Sequence, residues 1–77
     1  MKDKAINKLN NEFAKLETIE NLKRSGLSLS DYHVIYDLLG DLAKHGEAKT
    51  IINYPAMWLR KHGASVSWNG IEWIITI

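Results

Sequence analysis

Apolar residues recur at three- and four-residue steps through the first part of the chain: Ile6, Leu9, Phe13, Leu16, Ile19 and Leu22. That spacing makes one face of an amphipathic helix, with Lys, Asn and Glu on the other. It predicts a single helix over about residues 3–24, supported by i,i+4 pairs Lys8–Glu12 and Glu20–Arg24. Lys23 and Arg24 suit its last turn, and Gly26 is a C-terminal stop. Ser28-Leu-Ser-Asp31 has the form of a capping box. The helix it opens has Tyr32, Ile35, Leu38, Leu39 and Leu42 on its apolar face and ends at Gly46. Gly40 inside it points to close packing against another element. The short link between the two helices predicts an αα-hairpin.

Further on, the period changes. Glu47–Ile52 reads two ways, since Glu-Ala-Lys suits a helix start and Thr50-Ile51-Ile52 a short strand; a strand of about four residues beside the C-terminal one is favoured because it would cover Ile74. Tyr54-Pro55 sets a boundary, because the residue before Pro avoids the α region and Pro is at home in a first helical turn. The expectation is a short helix over Pro55–His62, capped by Asn53 or Tyr54, that buries Ala56, Leu59 and one flank of Trp58. Gly63 ends it. The last segment, Ala64–Ile77, alternates around Asn69-Gly70, a strong hairpin signal. A two-residue turn there would set Trp68 opposite Ile71 and Val66 opposite Trp73. Ala64, Val66, Trp68, Ile71, Trp73, Ile75 and Ile77 would then share the inward face. The predicted class is α+β: an N-terminal αα-hairpin, a short strand, a short helix and a C-terminal β-hairpin, in a sheet of two or three strands.

Composition narrows this picture without pointing to an activity. The 77 residues make one expected domain, 1–77, near the lower limit for a self-supporting core. A core of that size supplies about 3–5 kcal/mol, and with no Cys to staple it a homodimer or other homo-oligomer is a natural expectation. Hydrophobic residues at 45% argue against disorder. No apolar run approaches the length of a membrane span, and the first eight residues lack the apolar core of a signal peptide. The expected compartment is therefore the cytoplasm, with no membrane partner.

The net charge of +1 is spread widely. Residues 1–24 carry six basic and four acidic groups, residues 25–43 only Asp31, Asp37 and Asp41, and residues 44–77 four basic groups against Glu47 and Glu72. No block of like charge marks a nucleic-acid tail or a DNA-mimicking surface.

Candidate chemistry is sparse. Ser28, Ser30, Asp31 and His33 cluster, but on one turn at a helix start, where Ser and Asp are the ordinary caps. His33/Asp37 and Asp41/His45 each offer two ligands on a helix face, and a structural zinc site wants four. No phosphate loop or hydrolase signature is present. The reading is non-enzymatic, with no catalytic residue, no metal and no cofactor. Positive signals lie in the second half. Tyr54, Trp58, Arg60, Lys61 and Ile74 are the expected partner-binding residues; the sequence leaves Trp58 open between core and surface, and a part-exposed indole beside Arg60 would be an aromatic anchor.

Arg60 and Lys61 on a short helix before a two-stranded hairpin resemble a winged helix-turn-helix. That resemblance implies nucleic-acid binding through Lys49, Arg60, Lys61 and His62. The chain departs from the pattern in two ways: it has room for one helix, not two, between strand and wing, and the wing carries Glu72 without a base. Gly26-Leu-Ser-Leu-Ser-Asp-Tyr32, running on to Val34 and Tyr36, resembles a stretch in small phage-encoded inhibitors of uracil-DNA glycosylase. Those inhibitors imitate DNA with acidic surfaces, which this nearly neutral chain lacks, so their activity is not carried over. In general style the short helix, Gly and Ile/Trp hairpin are similar to small proteins of Gram-positive phages and plasmids. The leading functional expectation is a small regulatory module that binds another protein. The alternative is a small winged-helix-like nucleic-acid-binding regulator.

Overall fold

The computed structural model describes residues 2–77, with side chains from residue 4 onward. Its order is α1 (Lys2–Ala14), α2 (Ile19–Ser25), α3 (Leu29–His45), β1 (Glu47–Thr50), α4 (Asn53–Lys61), β2 (Ser65–Trp68) and β3 (Trp73–Thr76). The class is α+β, with four helices and one three-stranded antiparallel sheet.

The first apolar stripe forms two helices, not one. After Phe13 the backbone tightens, with Leu16 N–H donating to the Phe13 carbonyl at 2.9 Å. Thr18 then caps α2, its hydroxyl accepting from Asn21 N–H at 3.1 Å. The Asn21 amide donates back to the Lys15 carbonyl at 2.7 Å and holds the corner. A Thr able to take an N-terminal N–H competes with helix continuation, and here it wins. Leu16 and Leu22 stay buried across the break, while Ile19 turns out to solvent. Glu20 pairs with Arg24 as expected, at 3.0 Å, but Glu12 pairs with Lys15 and not Lys8.

The start of α3 matches its sequence signature. Ser28 accepts from Asp31 N–H, and the Asp31 carboxylate accepts from Ser28 N–H. Gly26 and Gly46 end α2 and α3 in the left-handed region, at φ 78° and 74°, where a side chain is disfavoured. The helical pair is α1 on α3, running antiparallel: Phe13 stacks on Tyr32 at 4.6 Å between ring centroids, while Asn10, earlier in α1, lines a shallow cleft with Gly40 and Ala43. Gly40 itself is exposed and nothing lies within 4 Å of where its Cβ would be, so close packing is not its role.

Both β1 and β2 pair with β3, giving the order β1-β3-β2. One row across the inner face is Ala48–Ile75–Val66, and the next is Thr50–Trp73–Trp68. Ile75 is fully buried. The β1 strand expected beside the C-terminal one is present, with Lys49 opposite Ile74. Between the two edge strands the chain crosses through α4, whose buried residues are Pro55, Ala56, Trp58 and Leu59.

The hairpin differs from expectation by two residues. Trp68 lies opposite Trp73 and Val66 opposite Ile75, so the connection is the four-residue loop 69–72. A type I′ turn needs two positive φ values, and here only Gly70 has one, at 98°. Instead the Asn69 side chain accepts from Ile71 N–H at 2.9 Å and Glu72 N–H at 2.8 Å. An Asn side chain that takes over backbone donors makes its own turn. A two-residue shift preserves the alternation, so both indoles remain on the inner face, 5.0 Å apart. Ile71, however, leaves the core and is 76% exposed.

Because Gly40 is helical, exposed and uncrowded, Gly40→Ala should raise the unfolding free energy by about 0.5–1 kcal/mol. Urea unfolding followed by circular dichroism checks this, and a loss of stability would mean the position is packed.

Candidate functional site

The register gathers three strand ends at one end of the sheet: Thr50 of β1, Trp73 of β3 and Trp68 of β2. Residues 51–54 leave from that end, and the 69–72 loop closes it. A side-chain hydrogen bond ties the two segments, with Trp73 Nε1 donating to Asn53 Oδ1 at 2.8 Å. Asn53 is thus not the cap of α4. Ile52 occupies that position without a side-chain bond, and the Asn53 amide is committed to the indole.

Around this tie stand the exposed apolar side chains Ile51, Ile52, Tyr54, Trp68 and Ile71. Ile51 and Ile52 follow β1 directly, and neighbouring residues of an extended chain point to opposite sides, so both cannot turn inward. Trp68 keeps half its surface in water, 50%, although its ring rests edge-on against Trp73. From Thr50 to Ile71 the chain contains no Asp or Glu, while Arg60, Lys61 and His62 fall within that stretch. The loop at the apolar end carries the acid Glu72 directly after Ile71, and Arg60 and Lys61 lie in the last turn of α4.

The expected partner-binding residues do not form one cluster. Tyr54 belongs to the apolar end and is exposed. Arg60 and Lys61 are exposed in the last turn of α4, about 10 Å of helix rise from Tyr54. Ile74 is half-buried on the outer face of the sheet between Lys49 and Ser67, the side opposite the indoles. Trp58 is not an exposed anchor: only 8% of it is accessible. Phe13 meets its ring edge-on at 6.2 Å, and the His62 ring stacks on it at 4.1 Å. A residue three positions after Pro55 and one before Leu59 is carried round to the core side by the helical turn.

The nucleic-acid set is divided as well. Lys49 is on the outer sheet face, away from Arg60 and Lys61. His62 is half-buried, with Nδ1 2.8 Å from the Trp58 carbonyl oxygen and Nε2 4.0 Å from Glu12 Oε2. A carbonyl only accepts, so Nδ1 carries the proton and the ring is occupied as an end to α4. One helix separates β1 from β2 where the winged helix-turn-helix has two.

No family model, curated protein or solved structure matches the chain. None of the sequence resemblances is joined by an independent relationship. Among the described residues no three His, Cys, Asp or Glu side chains converge as a metal site, and no helix is long and apolar enough to cross a membrane. Ser28 and Asp31 are spent on each other and on the helix start.

Sequence reasoning missed Ile51, Ile71 and Asn53. The run Ile51-Ile52 carried a usable signal, since two adjacent large apolar residues leaving a short strand leave one of them outside. Ile71 carried one too, because Asn-Gly-Ile-Glu can close through the Asn side chain as well as through a tight turn.

The tryptophans should separate cleanly by substitution. Trp58→Ala removes a buried ring and should cost about 3–5 kcal/mol, enough to unfold most of the population. Trp68→Ala should cost roughly 1 kcal/mol or less. Asn53→Ala should cost about 0.5–1.5 kcal/mol through the lost indole bond. Chemical unfolding of the three variants gives this ranking, and equal losses for Trp58 and Trp68 would contradict it.

Proposed function

We propose that this protein is a small, cytoplasmic, non-enzymatic binding module that docks another protein through the apolar end of its sheet. One observation carries the reading: Ile51, Ile52, Tyr54, Trp68 and Ile71 are all exposed on chain that leaves the same end of the sheet, where the Trp73–Asn53 bond ties the segment after β1 to β3. Scattered apolar residues on a surface need no explanation, but five large ones at one end of so small a domain are a mark of an interaction site. The chemistry of the partner follows from the exposed side chains. With Glu72 next to Ile71 and the bases Arg60 and Lys61 in the last turn of α4, no single charge sign borders the group, and the matching surface is apolar at its centre with a polar rim.

Nucleic acid is the second reading, favoured by the exposed rings of Tyr54 and Trp68, since single strands stack on such aromatics. Three exposed isoleucines at the same end favour protein, because they offer a base or phosphate nothing specific.

Salt distinguishes the two. A protein contact anchored by Tyr54 and Ile71 should persist from about 0.05 to 0.5 M salt, whereas a phosphate-led complex should weaken by orders of magnitude. In affinity capture from host extract, Tyr54→Ala and Ile71→Ser should each release the retained protein, with affinity falling about thirtyfold for a hot-spot loss of about 2 kcal/mol. Neither change touches the core. Salt-sensitive binding of a single-stranded oligonucleotide, lost with Tyr54→Ala, would overturn the protein reading.

A further inference from the structure

The two edges of the sheet differ. The outer side of β1 carries Glu47 and Lys49, charges of the kind that discourage an edge from pairing. β2 reads Ser-Val-Ser-Trp, with no charge, no Pro and no bulge. Among the described residues nothing pairs beyond it. We propose that β2 pairs antiparallel with β2 of a second copy, joining two three-stranded sheets into one of six.

Hydrogen-bond alternation sets which groups face the free edge. Asn69 N–H donates to the Glu72 carbonyl at 3.1 Å, and those residues are opposite each other in the β2–β3 register. Bonded and non-bonded pairs alternate along an antiparallel ladder, so Ser67 and Ser65 turn their backbone groups toward β3. Val66 and Trp68 turn theirs outward. A second β2 related by a two-fold axis normal to the sheet meets these groups in matching positions. With Ser67 on the axis, Val66 of each copy exchanges two hydrogen bonds with Trp68 of the other. The alternative with Val66 on the axis would need the Ala64 N–H, which is already given to the Leu59 carbonyl at 2.9 Å.

The occupant is a second copy because the strand is complementary to itself. The half-exposed Trp68 comes beside Val66 of the copy, an aromatic and β-branched pair that stabilises a ladder. On the outer face Ser67 meets Ser67 and Ser65 meets Asn69, so no like charges are opposed. The helices permit it as well. α4 packs against both β2 and β3. Strands lie about 4.8 Å apart, so helices seated over that pair in each copy fall about 10 Å apart, an ordinary packing distance. The dimer carries its two apolar ends at opposite ends of the joined sheet, which makes it bivalent. This inference does not depend on what those ends bind.

Cysteine placement tests it, because the chain has no Cys of its own. Ser67 on the axis is a non-bonded pair, the closest kind, with Cα atoms about 4.5 Å apart and within disulfide reach. Ser67→Cys should oxidise to a covalent dimer at low protein concentration, while Ser65→Cys, about 13 Å from its copy in this register, should not. Sedimentation of the unaltered chain should show a concentration-dependent dimer. Ser67→Lys, which opposes two ammonium groups at an exposed position, should weaken that dimer about fivefold without lowering the thermal midpoint of the dilute monomer. A chain that sediments as a monomer at every concentration, or equal cross-linking at positions 65 and 67, would overturn the proposal.

Discussion

The structure depends on β3 lying between two strands that never touch each other. Ile75 is the centre of this arrangement, fully buried, with Ala48 on one side and Val66 on the other. Because the two neighbours of β3 lie on opposite edges, the chain must travel across the sheet between Thr50 and Ser65. That crossing is made by α4, and its buried residues Ala56, Trp58 and Leu59 belong to the same core as Ile75. The helix that covers the sheet and the path that links its edges are one element. The α1–α3 pair completes the layer, with Phe13 touching Tyr32 on one side and Trp58 on the other.

The same crossing creates the apolar end. A chain leaving β1 and turning at once into a helix has no room to bury every side chain it carries, and Ile51, Ile52 and Tyr54 are left outside. The Asn69 side chain does the equivalent at the other segment. By satisfying Ile71 N–H and Glu72 N–H itself, it opens the hairpin to four residues and puts Ile71 in water. The Trp73–Asn53 bond then fixes one segment against the other.

What was legible in the sequence was local and stereochemical. Ser28 and Asp31 announce a helix start, Gly26 and Gly46 announce two stops, and the alternation from Ala64 to Ile77 announces which residues face inward. The β1 strand was legible through Ile74, which needed a neighbour. What was not legible involved competition between two satisfactory local states. The stripe from Ile6 to Leu22 reads as one helix because a corner at Thr18 keeps Leu16 and Leu22 buried, so the period alone does not reveal the break. The hairpin register could move by two residues without changing the face of either tryptophan, and only the side-chain bonds of Asn69 decide it. Trp58 reads either way in the sequence, because a bulky aromatic beside Arg60 suits a surface as well as a core until α3 and α1 are in position. Asn53 looked like a cap, and its amide is instead bonded to an indole twenty residues away.

The position of β3 also bears on how the chain acquires its structure. During synthesis, residues 47–50 and 65–68 leave the ribosome before residues 73–76, and neither pairs with the other in the finished sheet. Until β3 emerges, the helices have no sheet to cover and both edge strands lack their partner. The helices can form locally as they appear, but the sheet must await its last-made strand, so a chaperone or a premature partner would meet β1 and β2 as separate extended segments.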